Sequence, residues 1–193
     1  MVEWSHMGIV RRREHMRHKA FSIVELLIVM VIIAILAGLI IVTYTGIKTR
    51  AENTKTVNAV SHVIKAVTQY GVRNGNYPVT STWPCIGSSS TCARVGGAST
   101  CFGIGGAVYN SAFNTTLKGV MTSVPEPSDQ TMNCAGNSYS GAFYNKNDTS
   151  GGKTASIIYF LKGNESCQIT EGTVAVSQQD DTTRCSVTLK TLP

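Results

Sequence analysis

The chain has 193 residues, 15% of them charged, with a formal net charge of +6. That length holds one modest domain and a long helix. The basic balance gives little support to nucleic-acid binding: from Gly71 onward there are eight basic and seven acidic residues, and a DNA-binding face needs a clustered basic patch.

Residues 1–20 carry Arg11, Arg12, Arg13, Arg17 and Lys19 against Glu3 and Glu14, a net of +3. Met1, Met7 and Met16 are all candidate starts; starting at Met16 leaves a short basic leader. The triple arginine is not followed by the pattern of a twin-arginine signal. Positive charge ahead of an apolar segment keeps that end in the cytoplasm.

From Leu26 to Ile47 no residue is charged, and residues 26–42 read LLIVMVIIAILAGLIIV. A run of 22 residues is long enough to cross bilayer hydrocarbon. In lipid it must be helical, because every backbone polar group needs an internal partner there. A cleaved secretory signal has a shorter apolar region, roughly 7–15 residues, with a small-residue site after it. A plain signal anchor fits the length but gains nothing from Glu25, which stands between Ile23-Val24 and Leu26-Leu27. A carboxylate in a membrane segment costs a few kcal/mol and needs a specific partner. At a helix N-terminus the dipole lowers that cost.

The string Lys19-Ala20-Phe21-Ser22-Ile23-Val24-Glu25-Leu26-Leu27-Ile28-Val29 resembles the class III signal of type IV pilins and type II secretion pseudopilins. The resemblance covers residues 19–50. It implies cleavage by a prepilin peptidase between Ala20 and Phe21, N-methylation of Phe21, and pairing of Glu25 with the N-terminal amine of a neighbouring subunit. It also implies an inner-membrane assembly platform as a partner. Three positions depart from the commonest family pattern. Ala20 stands where Gly usually precedes the cut, Val42 where many type IV pilins have a helix-breaking Pro, and Ala34 where an interior Gly is common. Without that proline, any break in the helix rests on Gly38 or Gly46, which are weaker breakers.

Beyond Ile47 the chain turns polar and keeps a helical period. Ala51, Val57, Val60, Val63, Ile64, Val67 and Tyr70 fall near one face. Lys48, Arg50, Lys55 and Lys65 take the other, a solvated face, and His62 is expected at the surface or an interface. One helix is expected over Ser22–Tyr70, ~70 Å long. It should stop at Gly71–Pro78, GVRNGNYP, where Asn-Gly marks a turn and Pro78 bars continuation. A Gly-Asn-Tyr-Pro string directly after the long helix is also similar to many pilins and pseudopilins.

Residues 79–138 are rich in Gly, Ser and Thr and read as a disulfide-stapled loop region. Residues 103–106, GIGG, lack both the Walker lysine spacing and the dinucleotide-binding pattern. The last third reads as strands at Tyr139–Asn145, Ala155–Lys162, Thr173–Ser177 and Cys185–Leu189, with turns at Gly172 and Gln178–Thr183. An antiparallel sheet covering the amphipathic half-helix buries the apolar face of each. The fold class is therefore α+β and pilin-like. Its parts are a leader over 1–20, a membrane and filament-core helix over 21–47, an amphipathic continuation over 48–70 and a β-rich head over 71–193.

Six cysteines, Cys85, Cys92, Cys101, Cys134, Cys167 and Cys185, all follow the apolar segment, which points to disulfides in an oxidising compartment. Spacing leaves their connectivity open. The family resemblance implies a C-terminal loop closed by Cys167 and Cys185; for the other four, Cys85–Cys92 with Cys101–Cys134 comes first among the alternatives. No metal or other cofactor is expected, since no CxxC pair occurs and no histidine follows His62. The absence of histidine from the head removes Ser-His and Cys-His catalysis there, and the chain is not expected to be an enzyme. Asp180-Asp181 reads as a solvated turn rather than a calcium loop. Asn114, Asn147 and Asn164 begin glycosylation-type triplets, which carry little weight in a bacterial protein, and Ser88–Ser90 is a speculative site for O-linked sugar. The function expected is that of a pilus subunit, with membrane lipid and further copies of the chain as partners. A pseudopilin or minor pilin is the nearest alternative. An unprocessed membrane-anchored ligand-binding protein is the alternative of another class.

Overall fold

Hydrophobic periodicity changes twice along this chain, from apolar on all sides to amphipathic helix to strand alternation, and the elements follow it. A computed structural model describes residues 22–80, 82–88, 102, 107–145 and 152–193. The chain divides into two units, Met1–Tyr44 and Thr45–Pro193.

The first unit holds the start of α1, a helix over Ile23–Asn74. No break occurs at Gly38 or Gly46. The large apolar side chains from Ile23 to Leu39 are 49% to 85% exposed.

In the second unit α1 becomes a packed element. Val57, Val60, Val63, Ile64 and Val67 are buried, as the periodicity requires. Ala51 is exposed and Tyr70 only half-buried. The buried stripe instead begins at two polar residues, Asn53 and Thr56. The helix also outruns its expected end at Tyr70 by one turn. Gly71 is small enough to sit against Leu192 and Tyr77, and the Asn74 side-chain amide donates to the Tyr70 carbonyl at 2.8 Å. Gly75, at φ +73°, then ends the helix in the left-handed conformation that glycine adopts without strain.

The head sheet has four antiparallel strands in the order β5 (Ala142–Asn145), β6 (Ser156–Lys162), β8 (Thr182–Thr188), β7 (Thr173–Gln179). β6 is apolar on both faces because both faces are covered. Ile157, Tyr159 and Leu161 pack with α1, Cys185 and Val187 in one core. Ile158 and Phe160 pack with Phe102, Met132, Tyr139 and Phe143 in a second. That second core is roofed by short elements that composition alone did not reveal. β1 (Trp83–Pro84) pairs with β2 (Ala107–Val108), and β3 (Met132–Cys134) with β4 (Asn137–Tyr139).

The expected strand Tyr139–Asn145 is split, because Gly141 at φ +68° turns the chain between β4 and β5. The expected turn Gln178–Thr183 contracts to Asp180–Asp181, with Gln179 paired to Thr182. The region 79–138 also contains a helix, α2 (Ser111–Lys118). Asn110 caps it, its Oδ1 accepting from the Phe113 N–H at 3.0 Å, while Phe113 and Leu117 turn one apolar face inward.

Candidate functional site

The apolar run with its lone carboxylate is the candidate site. Ser22 starts α1: its Oγ accepts from the Val24 N–H at 3.3 Å, and its carbonyl from the Leu26 N–H at 3.2 Å. Ser22 and Glu25 stand at the spacing of a capping box, which places the carboxylate in the first turn, where the helix dipole favours an anion. Glu25 is exposed. From Leu26 to Leu39 its neighbours along the helix are apolar on every side and equally exposed. A surface of that size cannot remain in water. α1 is long and apolar enough to cross a membrane. Ala20 and Phe21 lie outside the described residues.

The head is gripped to α1 by polar contacts that sequence reading missed. Asn53 Nδ2 donates to the Lys162 carbonyl at 3.0 Å, and its Oδ1 accepts from the Lys162 N–H, also at 3.0 Å. Thr56 Oγ1 accepts from the Ser128 N–H at 3.1 Å, and Ser128 Oγ donates to Glu52 at 2.8 Å. In sequence these residues are ordinary polar helix positions; their only signal is that Asn53 and Thr56 fall on the buried stripe continued from Val60, Val63 and Val67. At the far end the Tyr77 hydroxyl donates to the Lys190 carbonyl at 2.7 Å, and the Tyr144 hydroxyl to the Pro78 carbonyl at 2.9 Å. Burial raises the pKa of both phenols. For Tyr77 a hydrogen bond with Thr68 partly offsets the rise, and for Tyr144 the nearby Tyr77 and Tyr70 add to it.

Cys167 and Cys185 form a disulfide, with Cα atoms 5.7 Å apart. This is the pair that the family resemblance implies. It ties the segment after β6 to the middle of β8. Cys85 and Cys134 are also disulfide-bonded. Cys92 and Cys101 lie outside the described residues, so the pairing of these four stays open.

The remaining sequence candidates resolve structurally. Asp180 and Asp181 turn to different partners: Asp180 accepts from the Ala135 N–H at 2.8 Å, and Asp181 lies 3.8 Å from Lys162. Among the described residues no cluster of His, Cys, Asp or Glu has the arrangement of a metal site. Asn114 is buried, its side-chain amide donating to the Gly87 carbonyl at 2.9 Å, so it is spent on packing. Asn164 is exposed, and Asn147 lies outside the described residues. Lys48, Arg50, Lys55, Lys65 and His62 are all exposed. Arg184 is partly buried, which lowers its pKa; it donates to the Phe102 carbonyl at 3.4 Å, with its guanidinium 6.0 Å from that ring's centre.

The prokaryotic N-terminal methylation motif matches residues 15–41, the stretch that contains Ala20, Phe21 and Glu25. The match covers this N-terminal segment and agrees with the type IV pilin and pseudopilin signal that the same residues resemble. Among curated proteins the chain is similar to type II secretion system core protein G. It is 31% identical to the Escherichia coli K12 protein over 34% of this chain and 45% of that one. It is 33% identical to the Aeromonas hydrophila protein over 33% and 45%. The Pectobacterium carotovorum protein is 31% identical over 33% and 41%. The chain thus spans less than half the length of the curated relatives it matches. No solved structure matches it significantly.

Proposed function

We propose that the chain is a structural subunit, not an enzyme, made as a precursor and assembled through α1 into a type IV pilus filament. The observation that carries this reading is the exposed, charge-free surface from Leu26 to Leu39 with the single carboxylate of Glu25 at its head. Residues 1–20 are the leader, 21–47 the membrane and filament-core segment, 48–70 the amphipathic helix and 71–193 the extracytoplasmic head. The precursor inserts with its basic end in the cytoplasm, and a prepilin peptidase cuts between Ala20 and Phe21 and methylates Phe21. Glu25 then pairs with the free amine of Phe21 on a neighbouring subunit. The pair offsets the cost of each charge in an apolar medium and sets the register between helices. Extraction by an inner-membrane platform carries the helices from lipid into a bundle, where their apolar surface is covered again.

A second reading, a pseudopilin of a secretion system, is favoured by the resemblance to core protein G. It uses the same processing and the same Glu25 contact and differs in filament length and abundance.

The deciding measurement is the N-terminal residue of the membrane-extracted protein, found by mass spectrometry with the peptidase active and deleted. A chain beginning at methylated Phe21 only when the peptidase is active is expected. An intact leader in both strains overturns the reading and leaves a membrane-anchored binding protein. Filament counts by electron microscopy then separate pilus from pseudopilus.

A further inference from the structure

A cleft of about 450 Å³ opens between α1 and one end of the head sheet. Every residue that lines it lies in the second unit, Thr45–Pro193. Its helix wall is the stretch of α1 just before Asn53. Gly46, Thr49, Arg50 and Asn53 stand at i, i+3, i+4 and i+7, on one face of the helix. Asn53 clasps the Lys162 backbone, and beyond that clasp the cleft takes the place of packing. A Cβ built on Gly46 would meet nothing within 4 Å, so the helix backbone is bare there.

The charges of this cleft are separated by sign. Arg50 stands on the helix wall, Glu165 and Asp181 on the sheet wall. Glu165 follows β6, and Asp181 sits in the turn between β7 and β8. Asp181 lies 3.8 Å from Lys162, and Glu165 accepts from the Asn53 side chain at 3.4 Å. Each carboxylate keeps acceptor capacity beyond that one contact. Among the described residues no ion pair joins Arg50 to either of them. A ligand complementary to the cleft therefore brings an anion for Arg50 and, a short link away, a cation with N–H donors for the carboxylates.

The level of the cleft along α1 points to the source of that ligand. The charge-free run ends at Ile47, inside the helix wall: Thr45 and Gly46 belong to it, and Arg50 lies beyond. Thr45 to Arg50 is about 7.5 Å of helix rise. The polar layer of one leaflet is roughly 5–8 Å deep. With the run in hydrocarbon, this stretch of α1 lies among the headgroups. We propose that the cleft binds one phospholipid of the ethanolamine class, with its phosphate on Arg50 and its primary ammonium on Glu165 and Asp181. The methylated nitrogen of a choline lipid has no N–H to donate, and a glycerol headgroup brings no cation for the carboxylates. The proposal rests on α1 entering a bilayer, as read above, and not on leader cleavage or polymerisation.

The test is native mass spectrometry of the full chain in detergent micelles, titrated with dioleoyl phosphatidylethanolamine, phosphatidylcholine or phosphatidylglycerol. One ethanolamine lipid per chain is expected, held about tenfold more tightly than either of the others. Arg50→Gln and Glu165→Gln are each expected to remove that preference. Glu165→Gln keeps an acceptor for Asn53, so it spares the contact to the helix. Gly46→Leu has open space to enter and is expected to weaken binding about tenfold with every charge in place. Equal binding of ethanolamine and choline lipids overturns the proposal. Binding of phosphatidylglycerol that strengthens in Glu165→Gln also overturns it, because the cleft is then a basic patch at a membrane surface. Soluble phosphoethanolamine competing as well as the lipid overturns it too, because the ligand is then free in water. A chain whose leader is never cut gives the same lipid result, so this proposal and the pilin reading fail separately.

Discussion

The side-chain amide of Asn53 stands in for a missing strand: it both donates to and accepts from the backbone of Lys162, at 3.0 Å each way. β5 pairs with β6 only as far as Tyr159, so the outward groups of Lys162 would otherwise have no partner in the sheet. An amide side chain presents an N–H and a C=O side by side in the geometry of a peptide group, and the second N–H of Asn53 donates to Glu165 Oε1 at 3.4 Å. Asn53→Ala is expected to destabilise the head by about 1–3 kcal/mol, because it leaves both groups unpaired at a buried contact. Asn53→Asp keeps the acceptor but loses the donor and is expected to cost a similar amount. Thermal unfolding of the full chain in detergent, followed by circular dichroism, reads both.

Glu25→Ala is expected to abolish filaments while leaving insertion intact, since the apolar run is untouched and the removed charge only opposed insertion. Membrane fractionation together with surface filament counts checks this. Filaments at normal number would mean that Glu25 takes no part in assembly.

Replacing Cys167 and Cys185 together by serine opens the loop between β6 and β8. The loop closed by their disulfide spans a sequence separation of 18. The chain-entropy model gives a loss of about 3 kcal/mol for such a loop. A lower denaturant midpoint with a somewhat steeper slope is the expected result, because the unfolded chain without the crosslink exposes more surface.

Alkaline pH should unfold the head. Burial pushes the Tyr159 phenol up to about 12 and raises Tyr77 and Tyr144 as well. In the unfolded chain these phenols titrate near 10. The fold therefore holds their protons more tightly. That contribution is fully present below pH 10 and is lost as pH rises from 10 through 12. The Tyr159 hydroxyl is buried with no hydrogen-bond partner. Tyr159→Phe is thus expected to leave stability at pH 7 unchanged or slightly higher and to flatten the fall above pH 10. Melting midpoints measured from pH 7 to 12 test both parts.

Gly172 is fixed by space as well as by conformation. At φ +86°, a Cβ built on it would lie 2.3 Å from the Thr188 carbonyl oxygen. Gly136, at φ +78°, has nothing within 4 Å. Gly136→Ala is expected to cost about 1 kcal/mol from backbone strain alone. Gly172→Ala should cost several times more and shift the start of β7, visible as lost amide protection at Thr173.

Much of this chain is determined locally. The charge-free run before Lys48, the one carboxylate at Glu25, the stripe from Val57 to Val67 and the alternation in Ser156–Lys162 each state their environment within a few residues, because helix and strand periods place side chains without reference to the rest of the chain. What needed tertiary structure was every feature set by a partner distant in sequence. Asn53 reads as surface until Lys162 is beside it, 109 residues away. α1 runs on to Asn74 because Leu192 and Tyr77 pack against Gly71. Helix α2 is too short to be stable alone and exists because Phe113 and Leu117 have a core to enter. Which edge of the sheet stays open was decided by strand order, which puts β7 outside β8, and strand order is a property of the folded chain.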